Sequence, residues 1–296
     1  SFPRSADAAF ARAELLAELA ATPAAGSGPD PRLAPAIEAY RDALELAPGR
    51  ADAWSALAAL RGRKALLEAA RGEDALPEVL ATIDAWGHAI DLLPSDPWPW
   101  MQRGTCRATA SALLRARGQD AHAAADEALA DLDRAVERGP EHGALWKARA
   151  QVRAGCATAA ALEGQERADL FAGADEDWGN AIERLGRRPE IVDGQTRLRL
   201  GRALALALLG RDPRPACLAT DEAAADALRE TPDRAAPRLL RGHARVVAAA
   251  WDATHGVDPA GNLLAAQRDF ETAGTDPSTA LEVRLGLGNV HFWVGL

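Results

Sequence analysis

The 296-residue sequence has only two lysines, Lys64 and Lys147, a single methionine, Met101, and 5% aromatics. It also lacks an excess of positive charge, since 34 Lys and Arg face 43 Asp and Glu for a net charge of −9. A surface that tracks phosphates needs a cationic excess to release counterions, so nucleic acid is excluded as the main ligand. The three cysteines, Cys106, Cys156 and Cys217, are far apart and form no CxxC pair. That spacing excludes a disulfide framework and a zinc site, and it fits a reducing cytoplasm. The longest apolar run, Ala203 to Leu209, is far short of a bilayer span. No basic-then-apolar leader opens the chain. The expected protein is therefore cytoplasmic, soluble and without membrane contact.

Catalytic signatures are missing too. The six histidines form no HExxH and no i, i+4 pair, and none has a cysteine nearby. There is no Gly-rich phosphate loop and no GxSxG. No metal, no cofactor and no catalysis within this chain are expected; any catalytic domain would lie outside it. The chain starts at Ser1 without an initiator methionine, so it reads as a piece of something longer. The strong bias of arginine over lysine reads as the mark of a GC-rich bacterial genome.

What the chain does have is a period. Ala43, Ala89, Ala135, Ala181, Ala227 and Ala273 recur every 46 residues. Hydrophobic residues make up 48%, with alanine and leucine dominant beside arginine, which favours close-packed helices over sheets. One unit shows the pattern. From Ala51 to Arg71, Trp54, Leu57, Ala58 and Arg61 lie at helical spacing on one face, and Gly72 ends the run. Glycine recurs there as Gly26, Gly118, Gly164, Gly210 and Gly256, where a left-handed residue ends a helix at least cost. Two residues on, Asp74, Asp120, Glu166, Asp212 and Asp258 stand as N-caps of a second helix. That helix, about Pro77 to Leu92, carries Thr82, Trp86, Ala89 and Ile90 and closes before Pro94. The small alanine lets helices approach to about 8–10 Å.

These columns resemble the tetratricopeptide repeat. Trp54, Trp100 and Trp146 fill its tryptophan position, Ala58, Gly104, Ala150, Gly242 and Gly288 its small site, and Pro48, Pro94, Pro140 and Pro232 its closing proline. The departures are Gly186 and Ser278 for proline, Arg238 and Arg284 for tryptophan, and a period of 46 residues where the family has about 34, a length nearer HEAT-type repeats. The resemblance covers essentially the whole chain. It implies an all-α superhelix, a single solenoid of antiparallel hairpins over about 5–48, 51–94, 97–140, 143–186, 189–232 and 235–278, with a lone final helix over 279–296. Val290, Phe292, Trp293 and Val294 sit near the end of that helix with no polar capping helix after them, so they are expected to be exposed here and covered by more chain or by a partner.

Arg61, Arg107, Arg153, Arg199 and Arg245 form a further column where the family usually has tyrosine. One reading is an anion-binding stripe, because guanidinium pairs bidentately with carboxylate. The stronger reading is structural pairing with Glu38, Asp84, Glu176 and Glu222 on the second helices. By resemblance the concave groove is lined by the first helices, here at Trp98, Met101, Thr105, Lys147, Gln151, Asp193, Arg197, Leu239 and His243. Trp98 is the likeliest anchor by residue type, unless Pro97 and Pro99 pin it to a turn. The lysine–asparagine clamp some family members use for a C-terminal carboxylate is not reproduced at Lys147 and Gln151. The expected function is a scaffold that holds a peptide or extended protein segment, with Trp98, Met101, Lys147, Gln151, Arg197 and His243 as contacts. The alternative is a regulatory arm of a larger bacterial signalling enzyme such as a Ser/Thr kinase or an NTPase.

Overall fold

Alanine at every forty-sixth position is a packing requirement. All six column alanines are at most 4% exposed, each on the second helix of a pair. The computed structural model describes residues 5–21, 30–274, 276 and 279–294, the side chains of 293 and 294 apart. Gly26, Ser278 and the side chains of Trp293 and Val294 lie outside those residues. All regular structure among the described residues is helical. No helix among them is long and apolar enough to cross a membrane.

The chain divides into two compact units, Ser1–Pro140 and Glu141–Leu296. In the first, α1 (Ala6–Ala21) pairs with α2 (Leu33–Leu46), α3 (Ala51–Ala70) with α4 (Leu76–Leu92), and α5 (Pro97–Ala116) with α6 (His122–Arg138). In the second, α7 (Gly143–Leu162) pairs with α8 (Ala168–Leu185), α9 (Pro189–Leu208) with α10 (Arg214–Glu230), and α11 (Ala235–Thr254) with α12 (Ala260–Ala273). The last helix, α13 (Ala280–Val294), packs on α11 and α12. Each unit is thus a stack of all-α hairpins, with the second helix of one resting on the first helix of the next.

The turns repeat in atomic detail. Gly72, Gly118, Gly164, Gly210 and Gly256 have φ between 67° and 77°. After each, the next amide donates to a carbonyl five residues back, as from Glu73 to Glu68 at 2.9 Å and from Gln165 to Ala160 at 2.8 Å. These bonds satisfy carbonyls left open where the helix stops. The aspartates that follow sit one place earlier than an N-cap. Asp74, Asp120, Asp212 and Asp258 each accept from the amide two residues on, at 2.9–3.1 Å, which is the first amide of the second helix. Glu166, one carbon longer, instead pairs with Arg211 at 2.6 Å.

In the first unit the tryptophan column ties a hairpin to the previous one. The Trp54 indole N–H donates to the Pro48 carbonyl at 2.8 Å and Trp100 to that of Pro94 at 3.0 Å. Arg238, in place of tryptophan, keeps the bond by donating to the Pro232 carbonyl, whereas Arg284 Nε donates to the Ala280 carbonyl of its own helix at 3.1 Å. The ring faces are covered as well: Trp54 stacks on His88 at 4.1 Å, and the guanidiniums of Arg103, Arg134 and Arg138 lie 4.9–5.0 Å from the Trp100 ring.

Close approach is tight at the small site. A Cβ on Gly104 would come within 2.9 Å of Leu132 Cγ and 3.0 Å of the Ala128 carbonyl oxygen, and one on Gly242 within 2.8 Å of the Phe270 ring. The last repeat departs from this register. Gly288 has nothing within 4 Å of a built Cβ, and Gly286 is the residue against Phe270, at 2.6 Å. Gly104→Ala is expected to lower stability by about 1–3 kcal/mol through overpacking. Gly155→Ala, with open space around it, should raise it by about 0.5–1 kcal/mol. Urea unfolding of the two variants checks the contrast.

Candidate functional site

The arginine column meets carboxylates, but not those the spacing suggested. Arg107 Nη1 is 2.6 Å from Asp131, Arg153 Nη1 2.9 Å from Asp177, and Arg245 Nη1 2.9 Å from Asp269. Those aspartates are at most 3% exposed. Each also accepts from a second arginine one turn earlier: Arg103 at 2.8 Å through both Nε and Nη2, Arg149 at 3.0 and 2.6 Å, and Arg241 at 3.0 Å through Nε. Glu38 pairs with Arg41 at 2.8 Å, and Asp84 lies 3.8 Å from His88. The suggested acidic column is displaced by one residue from the buried one, and one residue on a helix is a rotation of about 100°, enough to turn a side chain from the hairpin interface to solvent.

A signal for the true partners was present in the sequence. At matching positions the five repeats read Leu57, Arg61, Ala85; Arg103, Arg107, Asp131; Arg149, Arg153, Asp177; Gln195, Arg199, Ala223; and Arg241, Arg245, Asp269. The first arginine and the aspartate are present together three times and absent together twice. A buried carboxylate is tolerated only with near-complete hydrogen bonding. Without an aspartate, Arg61 turns to Glu78 at 3.3 Å and leaves its Nε buried without a partner among the described residues. Arg199 makes no ion pair among the described residues.

The residues placed in a concave groove by resemblance differ in burial and are divided between the two units. Asp193 is 7% exposed and pairs with Arg234, and Leu239 is 4% exposed in the core of the second unit. His243 is half-buried, its ring 5.0 Å from Phe270 in an edge-on contact. Gln151 and Arg197 are exposed and Lys147 half-buried, all on first helices of the second unit. Trp98, 41% exposed, and the half-buried Met101 belong to the first unit. Val290, expected to be exposed, is 1% exposed within the α11–α13 core; Phe292 on the same helix is 62% exposed. The helix turns Val290 inward because α13 packs on two helices and covers one face.

The open groove of the first unit lies between α3 and α5, which scarcely touch. It encloses about 480 Å³. Ala59, Gly62 and Leu66 form one wall, Thr105, Thr109 and Leu113 the other, and Trp86 with Val79 reaches up from α4. Cys106 also lines it, and burial pushes its thiol up to about 11, so it is an uncharged part of the wall at neutral pH. Arg63, the one charged side chain at the rim, is engaged by the Ala20 carbonyl and by Asp30 at 3.2 Å. Gln102, Thr105 and Thr109 follow at helical spacing, and Trp98 stands one turn before Gln102 on that face.

No family model and no curated protein matches the chain. The chain resembles tetratricopeptide repeat proteins of solved structure. A tetratricopeptide repeat protein from Parabacteroides merdae is 12% identical over 98% of this chain and 100% of its own, with a TM-score of 0.47. A thermophilic one from Thermus thermophilus is 17% identical over 81% of this chain and 98% of its own, TM-score 0.46. YrrB, described as a tetratricopeptide repeat protein with an unusual peptide-binding site, is 15% identical over 85% of this chain and 99% of its own, TM-score 0.40.

Arg149→Met removes the bidentate partner of Asp177 at near-constant volume and should cost about 3–5 kcal/mol, since it leaves a buried carboxylate half-satisfied; chemical denaturation measures it. Burial holds the His243 imidazole below its ordinary value of 6.5, with Glu282 acting in the opposite sense. Its contribution is therefore complete above that value and is lost as pH falls through the lower folded-state value. Melting temperature against pH should fall more steeply on acidification in the native protein than in His243→Gln.

Proposed function

We propose that the protein is a non-catalytic scaffold that holds a segment of another protein, with the α3/α5 groove receiving an apolar side chain of that segment. The observation that carries this reading is the groove itself: an open cleft of about 480 Å³ with small and apolar walls, and its only rim charge already engaged. Burying one large apolar side chain is worth about 1.5–3 kcal/mol, and rigid helices lose little entropy on receiving it. Trp98 and Met101 extend the α5 wall toward the start of the helix, where an exposed tryptophan adds contact area to a docked segment. Thr105 and Thr109 supply hydroxyls on the same wall.

Panning a random peptide library against the full chain should enrich sequences around one large apolar residue. Their affinity should fall about ten-fold or more in Ala59→Arg, which fills the cleft from an exposed position. Circular dichroism of that variant should match the native protein. No enrichment, or peptides that bind Ala59→Arg equally well, would remove the groove from the function.

A further inference from the structure

Three hairpins of this protein show what the column arginine is built to hold. At Arg107, Arg153 and Arg245 the object beneath the guanidinium is a carboxylate, supplied 24 residues later by the hairpin's own second helix. The α9/α10 hairpin keeps the arginine and lacks the carboxylate. Arg199 stands in the column, Ala223 stands where the others carry aspartate, and Gln195 replaces the companion arginine.

Beside Arg199, and wholly within the second unit, is a cavity of about 580 Å³ between α8, α9 and α10. That is the size of a small-molecule or side-chain site. Arg199 and Arg202 line it, and neither makes an ion pair among the described residues. Phe171, Leu198, Leu206 and Pro215 give it an apolar wall. Three carboxylates share the lining. Asp212 is held by Arg214 at 2.7 Å and Asp175 accepts from the Gln195 amide at 3.1 Å, which leaves Glu222 as the one without a hydrogen-bond partner among the described residues. Each weakens the attraction for an anion, and more so the greater its charge.

We infer that this cavity binds a single carboxylate on an apolar stem, seated against Arg199 in the role that Asp131, Asp177 and Asp269 fill in the other hairpins. The stem lies on Phe171 and Leu206, and Arg202 stands at the rim as a second cation. Multiply charged anions are disfavoured by Asp175 and Glu222. The same chemistry is offered by a glutamate side chain of a protein segment and by a free aliphatic acid. The site is in a different unit from the α3/α5 groove and does not depend on the reading of that groove.

The test is calorimetric titration of the full chain with hexanoate, with the blocked tripeptide acetyl-Leu-Glu-Leu-amide and with inorganic phosphate. Saturable binding of either carboxylate, with none of phosphate, supports the site. The tripeptide alone would point to a protein segment and hexanoate alone to a free acid. Arg199→Gln should weaken that binding about ten-fold or more, the loss expected for one charge-assisted hydrogen bond. Ala223→Asp combined with Gln195→Arg rebuilds the internal carboxylate and should abolish binding while holding or raising the melting temperature. The inference is overturned if neither carboxylate saturates, if phosphate binds as well, or if Arg199→Gln binds like the native protein.

Discussion

The close approach of two helices within each hairpin is the constraint on which the rest of this structure depends. Where Gly104 faces Leu132 and Ala128, even one added carbon would meet backbone at 3.0 Å. At that separation a side chain between the helices is either very small or very well matched. Alanine satisfies the first condition at six positions in register, and the large residues beside it, Tyr40, Trp86, Leu132 and Trp178, fill what it leaves open.

The buried carboxylates follow from the same geometry. Asp131, Asp177 and Asp269 project from second helices into the buried hairpin interface, where an unpaired charge would cost several kcal/mol. Two arginines one turn apart on the facing helix supply three donors, and their long stems cover apolar surface on the way. The unit is all or none, because one arginine leaves lone pairs of the aspartate unmet and an arginine pair without the aspartate places two like charges side by side. Two hairpins have an arginine and no aspartate: in α3/α4 Arg61 turns to Glu78, and in α9/α10 Arg199 makes no ion pair among the described residues and lines a cavity.

The α3/α5 groove and the α8/α9/α10 cavity have contrasting chemistry for this reason. Between α3 and α5 the first helices stand apart, their facing residues are small or apolar, and the local charge is already neutralised. Between α8, α9 and α10 the lining mixes a greasy wall with a half-buried arginine, Arg199, that makes no ion pair among the described residues. One is suited to taking an apolar side chain out of water, the other to an acid on an apolar stem.

Much of the fold was legible in the sequence. Alanine, glycine and proline at fixed intervals act through local rules: a small contact residue, a left-handed stop such as Gly72 and a residue that cannot continue a helix. Such rules operate within a few residues of chain, so the all-α hairpins and their turns could be read directly, and so could the arginine column. The partners of that column could not, because Asp177 and Glu176 are neighbours in sequence and only the rotation of α8 against α7 decides which is buried. The same holds for Val290, turned into the core by the docking of α13, for Asp193 and Leu239, which leave the surface, and for the shift of the last small site from Gly288 to Gly286. Periodicity by itself determined which residues share a helix face; the depth of each face, and therefore whether a charge is a contact or a counter-ion, was decided by packing between helices distant in sequence.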